Sequence, residues 1–215
     1  MMRRFLMVAV VLCLAAPAAA QYRVEVSGNV GWTFSDGVPF DTGVPVNGFI
    51  YDRVDPKDSV NFGFTFGLYV TPQAEVEFLW NRQPTTLEVR GTGPVLSGDM
   101  NVDNYHVNFV YNFGDEETMV RPFVFAGLGA TSYGDAAFPT RTVPGVTKFS
   151  WGLGGGVKAF ANRNVGFKGT VRWNPTYIKT DEAGWWCDPY WGCYVVGDAD
   201  YANQFEFTGG VVLRF

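Results

Sequence analysis

Long apolar runs and histidine are what this chain has least of, and each shortage narrows what it can be. No apolar stretch reaches the roughly 20 residues that a membrane-spanning helix needs. The one histidine is His106. A serine hydrolase would require an activated serine within hydrogen-bond reach of it and an acid to orient it, and no G-x-S-x-G pattern marks such a serine. A triad assembled across strands stays open on the sequence alone. The run from Gly152 to Gly156 resembles a phosphate-binding loop only superficially, because it lies inside a strand pattern with no helix after it. Catalytic, metal and cofactor residues are therefore not assigned.

The start of the chain is informative. Met1-Met2-Arg3-Arg4 leads into an apolar run from Phe5 to Leu14, then Ala15-Ala16-Pro17-Ala18-Ala19-Ala20. A short positive segment, an apolar core of about ten residues and an Ala-x-Ala site are the parts of a secretory signal peptide. The expectation is a signal peptide over 1–20, cleaved after Ala20, and one domain over 21–215. A membrane anchor is disfavoured by length. A lipoprotein reading of Cys13 is weakened by Leu12, where a small residue is wanted.

Cleavage would leave 14 cations against 21 acids, a formal charge of −7, which argues against nucleic acid as a partner. It would also leave two cysteines, Cys187 and Cys193, which read as one disulfide formed in an oxidising periplasm and restraining only a local tip. Asp188 beside them hints at metal ligands, but oxidation removes the thiolates.

From Tyr22 onward, segments of about ten residues alternate apolar with polar or small side chains, the period of a strand with two unlike faces. Eight are counted. The second is the cleanest, with Val60, Phe62, Phe64, Phe66, Leu68 and Val70 opposite Asn61, Gly63, Thr65, Gly67 and Tyr69. The fifth, 121–131, is ambiguous, because Phe123 and Phe125 fall opposite Val124, Ala126, Leu128 and Ala130. Short links at 71–73, 114–120 and 161–164 alternate with long ones at 35–59, 81–99, 132–146 and 175–202, as three turns at one end and four loops at the other.

Strands with a lipid-grade face must close on themselves in a bilayer. A soluble lipocalin-like barrel would share the alternation, with its apolar face turned inward. The signal peptide, the aromatic residues near strand ends (Trp32, Phe34, Trp80, Trp173 and Phe113) and the chain ending on a strand at Phe215 favour the membrane. The expected fold is all-β: an eight-stranded, antiparallel, up-and-down transmembrane β-barrel, integral to the outer membrane and monomeric.

Three stretches carry a family resemblance: Arg121-Pro122-Phe123-Val124-Phe125-Ala126-Gly127-Leu128-Gly129-Ala130, Gly152-Leu153-Gly154-Gly155-Gly156-Val157-Lys158, and the segment from Phe205 to Phe215. With them the chain resembles the OmpA- and OmpX-type eight-stranded barrels, in particular the outer membrane protein beta-barrel domain family. That resemblance implies a signal for the barrel-assembly machinery in a terminal aromatic preceded by alternating apolar residues, a pattern that Phe207, Val211, Leu213 and Phe215 fit.

Eight strands enclose an interior that side chains fill. The facing assigns Arg23, Glu25, Glu75, Glu77, Lys158, Lys168, Arg172, Glu206 and Arg214 to it, and charges so confined are expected to pair as a plug. A narrow ion path is the alternative. In the fourth loop, Trp185, Trp186, Tyr190 and Trp191 form an aromatic patch, suited to packing in the lipopolysaccharide headgroup zone or to binding sugars or a protein. The first loop reads as flexible or as short extensions of the barrel. The expected role is structural or interactive at the cell surface, followed by a small-solute channel and, third, a lipid-modifying enzyme.

Overall fold

The computed structural model describes residues 24–46, 48–114, 118–139, 141–178, 186–188, 192–194 and 201–215. The expected signal peptide, Arg23, Trp185, Tyr190 and Trp191 lie outside them. In chain order the strands are β1 (Val24–Ser35), β2 (Val38–Val46), β3 (Phe49–Pro56), β4 (Ser59–Tyr69), β5 (Ala74–Gly91), β6 (Leu96–Asn112) and β7 (Val120–Tyr133). They continue as β8 (Ala136–Phe138), β9 (Arg141–Val143), β10 (Val146–Phe160), β11 (Val165–Tyr177), β12 (Trp186–Asp188), β13 (Gly192–Tyr194) and β14 (Tyr201–Arg214).

Eight of them, β1, β4, β5, β6, β7, β10, β11 and β14, pair antiparallel in chain order, and β14 returns to β1 from Ser35↔Gln204 to Glu25↔Arg214. The sheet is a closed barrel with no free edge around its wall, as backbone in hydrocarbon requires. The outward column of β4 is half exposed from Val60 to Val70, while Asn61, Thr65 and Tyr69 are buried inside. Aromatic pairs line the outer surface, among them Trp151 with Trp173 at 5.0 Å, Trp173 with Phe205 at 6.3 Å and, at the periplasmic end, Tyr111 with Phe113 at 5.2 Å.

One long connector departs from the sequence expectation, and the first takes the second of its two expected forms, a short extension of the barrel. Residues 81–99 are not a loop: β5 runs 18 residues and β6 17, joined by four residues. The segment 35–59 holds the β2–β3 hairpin, and β3 pairs with the far end of β5 from Tyr51↔Gly91 to Pro56↔Leu87. The segment 132–146 holds β8 and β9 beside β6, and β12 and β13 lie within 175–202. At about 3.4 Å per residue and a tilt near 40°, β5 rises roughly 45 Å against an apolar band of about 25 Å, so it overshoots the bilayer by about 20 Å.

That overshoot is the physical reason for the difference. Outward across β5 and β6, Ala74↔Tyr111, Val76↔Phe109, Phe78↔Val107 and Trp80↔Tyr105 are succeeded by Arg82↔Asp103, Pro84↔Asn101, Thr86↔Asp99 and Glu88↔Ser97. Arg82 holds Asp103 through two bonds, Nε to Oδ1 at 2.8 Å and Nη2 to Oδ2 at 2.9 Å, and this pair marks the edge of the lipid-facing band. At the same height the inner face turns from polar to apolar. Val38, Val54, Leu87, Met100, Val102, Tyr133, Ala136, Val143, Ile178 and Ala202 form one buried cluster above the barrel. The strands are inside-out in the membrane and conventionally packed beyond it. A rule of apolar residues outward therefore stops at Trp80 although the strand continues.

The facing of β7 is settled by its neighbour. Phe123 and Phe125 are buried in the lumen at 2% and 7% exposure, and Val124 and Leu128 face lipid. Opposite them in register are Gly156 and Gly154 of β10. A Cβ on Gly154 would press on the Phe125 ring, and one on Gly156 would press on Phe123 and overlap the Gly169 carbonyl. The glycine-rich strand leaves the space that two lumenal aromatic rings occupy.

Candidate functional site: the filled lumen

The lumen is built in layers, each from inward positions on several strands. At the periplasmic floor Lys158 lies 2.6 Å from Glu25 Oε1 and donates to Glu75 Oε2 at 2.7 Å. Tyr69 donates its hydroxyl to Glu25 Oε2 at 2.6 Å, and Arg214 reaches the same oxygen at 3.1 Å. The Arg214 guanidinium lies 3.9 Å from the centre of the Phe160 ring, and Lys158, Arg214 and Arg121 all lie within 6 Å of the Tyr69 ring centre. Two carboxylates and the Tyr69 and Phe160 rings thus face the three cations of this layer, which offsets most of their charge at a low-dielectric site.

Arg121 was not foreseen. It is fully buried, donates from Nη2 to the Pro72 carbonyl at 2.8 Å and ties the turn after β4 to the barrel wall. Its side shares the parity of Phe123 and Phe125, so the same ambiguity hid all three. The complementarity of Phe123 and Phe125 to the inward glycines of β10 was the signal that would have found it.

Phe123 separates the floor from the next layer, with Lys158 at 5.4 Å and Lys168 at 5.3 Å from its ring centre. Lys168 pairs with Glu77, which also accepts from Asn108 Nδ2 at 3.2 Å. A cavity of about 20 Å³ beside this pair, lined by Thr65, Glu77, Lys168 and Arg172 among others, has room for a water molecule and nothing larger. Above it Arg172 donates from Nη2 to Glu206 Oε2 at 2.7 Å, and Asn81 and Asn104 donate to the same carboxylate at 3.1 and 3.0 Å. An amide and hydroxyl layer follows, with Gln204 donating to Gln83 at 3.1 Å and Asn174 to Asn104 at 3.0 Å. The apolar cluster then closes the extracellular end.

His106 does meet a serine: its Nε2 is 2.9 Å from Ser150 Oγ. Its other nitrogen, Nδ1, faces Arg172 Nη1 at 3.4 Å. A guanidinium only donates, so Nδ1 accepts, Nε2 carries the proton, and His106 donates to Ser150. A general base needs the opposite arrangement, with an acid on Nδ1 and a free lone pair toward the serine. Both residues are also buried, at 1% and 0% exposure.

Of the remaining sequence-predicted positions, Phe207, Val211, Leu213 and Phe215 face outward toward lipid on or just after β14. Cys187 and Cys193 stand directly opposite one another in the β12–β13 register. Trp186 begins β12. No group of three or more His, Cys, Asp or Glu side chains placed to hold a metal ion occurs among the described residues.

A closed eight-stranded wall with lipid-grade side chains outside and paired charges inside defines an integral outer-membrane β-barrel. The chain belongs to the outer membrane protein beta-barrel domain family, whose model matches residues 6–215. Among solved structures it is similar to the outer membrane protein OprG of Pseudomonas aeruginosa, at 12% identity over 90% of this chain and 96% of that one, with a TM-score of 0.67. It is also similar to Neisserial surface protein A, at 14% identity over 92% and 99% and a TM-score of 0.55. The N-terminal β-barrel domain of OprF from Pseudomonas aeruginosa matches at 14% identity over 92% and 100%, with a TM-score of 0.52. At these identities the likeness is one of fold. A search of curated proteins finds no match.

Proposed function

We propose that this protein is a non-conducting, monomeric barrel whose role is to hold a rigid β-structured platform at the cell surface for structural or adhesive contact. The observation that carries this reading is the double closure of the lumen. A ladder of buried ion pairs runs from Glu25 to Glu206, and an apolar plug around Leu87, Met100 and Val102 lies above it. A conducting path would have to break paired charges in a tightly filled interior, at several kcal/mol for each pair separated. The overshooting strands favour the platform: the hairpin tips of β2–β3 and β5–β6 are locked by Tyr51 donating to the Pro94 carbonyl at 2.9 Å and by the Ile50 amide donating to Thr92 Oγ1 at 2.9 Å. Catalysis is disfavoured by the tautomer that Arg172 imposes on His106.

Planar-bilayer recording of the purified protein tests it. The expected result is a quiet membrane, with Glu75→Gln and Glu77→Gln variants equally quiet because the apolar plug remains. Discrete, reproducible conductance steps in the unaltered protein would favour the channel.

A further inference from the structure

The outer wall carries a charged cleft immediately above the lipid-facing band, and it is not part of the lumenal network. Its volume is about 540 Å³, and its walls come from the end of β1, the β3–β4 joint and the outward side of β5. A second cleft of about 440 Å³ adjoins it, and Lys57 and Asp58 line both. Below lie half-exposed apolar side chains, Phe34 at the top of β1 and Val60 and Phe62 on β4. A molecule seated here would have its polar end among charges and its tail along a lipid-grade surface.

The charges are unequally committed. Arg53 is held by Asp55 at 2.6 Å, and Arg90 by Glu88 at 2.6 Å and Asp55 at 3.5 Å. Lys57 has the loosest pair, 3.7 Å from Glu88, a carboxylate Arg90 already engages, and its side chain is 65% exposed. Its ammonium is the least committed cation of the cleft and the one placed to take an anionic group. Asp58 spends one oxygen, Oδ1, on the Ser35 amide at 2.9 Å, and Asp36 stands exposed next to it. A bare phosphate would meet Lys57 but also be repelled by these carboxylates, whereas a head bearing both a phosphate and an ammonium satisfies both signs.

We propose that this cleft binds the phosphoethanolamine head of a membrane lipid, with Lys57 receiving the phosphate and Asp58 and Asp36 the ammonium. The inference goes beyond the platform role and depends only on the outer-membrane placement.

The test is lipid retention. The purified protein is equilibrated in micelles with equal amounts of phosphatidylethanolamine, phosphatidylglycerol and phosphatidylcholine, and bound lipid is counted by native mass spectrometry. One charge-assisted contact corresponds to about tenfold preference, so phosphatidylethanolamine is expected to exceed phosphatidylcholine by about that factor. Lys57→Gln removes the contact to the phosphate that all three heads share, so it should lower retention of phosphatidylethanolamine about tenfold. Asp58→Asn, which keeps the acceptor for Ser35, should bring phosphatidylethanolamine and phosphatidylglycerol level. Arg163→Gln, in the periplasmic turn, should behave as the unaltered protein. A second arm offers lipid A with and without phosphoethanolamine, and preferential retention there assigns the head to the saccharide lipid. Equal retention of all heads by the unaltered protein in both arms, or undiminished retention of phosphatidylethanolamine in Lys57→Gln, overturns the proposal.

Discussion

Lys168 and Glu77 show what a single buried pair contributes. Each is nearly inaccessible, and each is the other's charge partner in the layer above Phe123. Replacing one partner leaves a buried charge exposed to low dielectric, and the cost is about 3–5 kcal/mol. Lys168→Met is therefore expected to lower stability by that amount in urea unfolding from lipid vesicles, while the double change Lys168→Met with Glu77→Gln should cost less than the single one. Gly156 makes the complementary case for volume. Valine there would collide with Phe123 and the Gly169 carbonyl, and a loss of about 1–3 kcal/mol or failure to fold is expected. Gly169→Ala is the control, since nothing lies within 4 Å of the added carbon, and it should unfold as the unaltered protein does. At this scale the sequence was readable wherever parity was unbroken. Glu25, Glu75, Lys158 and Arg214 were placed by counting, whereas Arg121 was hidden because two phenylalanines shared its face.

Elements differ in how far their pattern carries. β4 could be delimited from residues alone because its outward column, Val60 to Val70, lies wholly within the lipid band. β5 and β6 could not, because the environment changes along the strand: the positions that face lipid at Val76 and Phe78 face water at Glu88 and Arg90. A change of solvent has no mark in the sequence except the change of polarity itself, which looks like the start of a loop. The extracellular part of these strands has its own core and its own pH response. Burial pushes the Tyr133 phenol up to about 12, above its ordinary value of 10.0. A phenol whose folded pKa lies above its unfolded one favours the folded form while the solution is below about pH 10. That contribution is lost as pH rises from about 10 through about 12. Titration at 295 nm should show phenol that ionises only as the extracellular cluster opens, and Tyr133→Phe should shrink that late step by one tyrosine. Glu88 lies outside the bilayer too, and its hydrogen bond to Arg90 holds its carboxyl below the usual range.

The whole molecule is two solvents' worth of design on one closed sheet. In the bilayer the wall is apolar outside and the fill is charged; about 20 Å further out the wall is charged and the fill apolar. Closure, strand number and outer-membrane placement were all legible beforehand, because they depend on alternation and turn spacing. The outward extension was legible only in part: a connector rich in charge and proline, such as 35–59, reads as flexible or as short extensions of the barrel, and the β2–β3 hairpin answers to the second. The measurement that bears most directly on this account is a spin-label scan along β5, one position at a time from Ala74 to Gly91, with a lipid-soluble and a water-soluble relaxation agent. Even positions through Trp80 should respond to the lipid-soluble agent and those from Arg82 onward to the water-soluble one, with odd positions from Glu75 to Val89 shielded from both. Odd positions open to the aqueous agent, or even positions beyond Arg82 still in lipid, would contradict it.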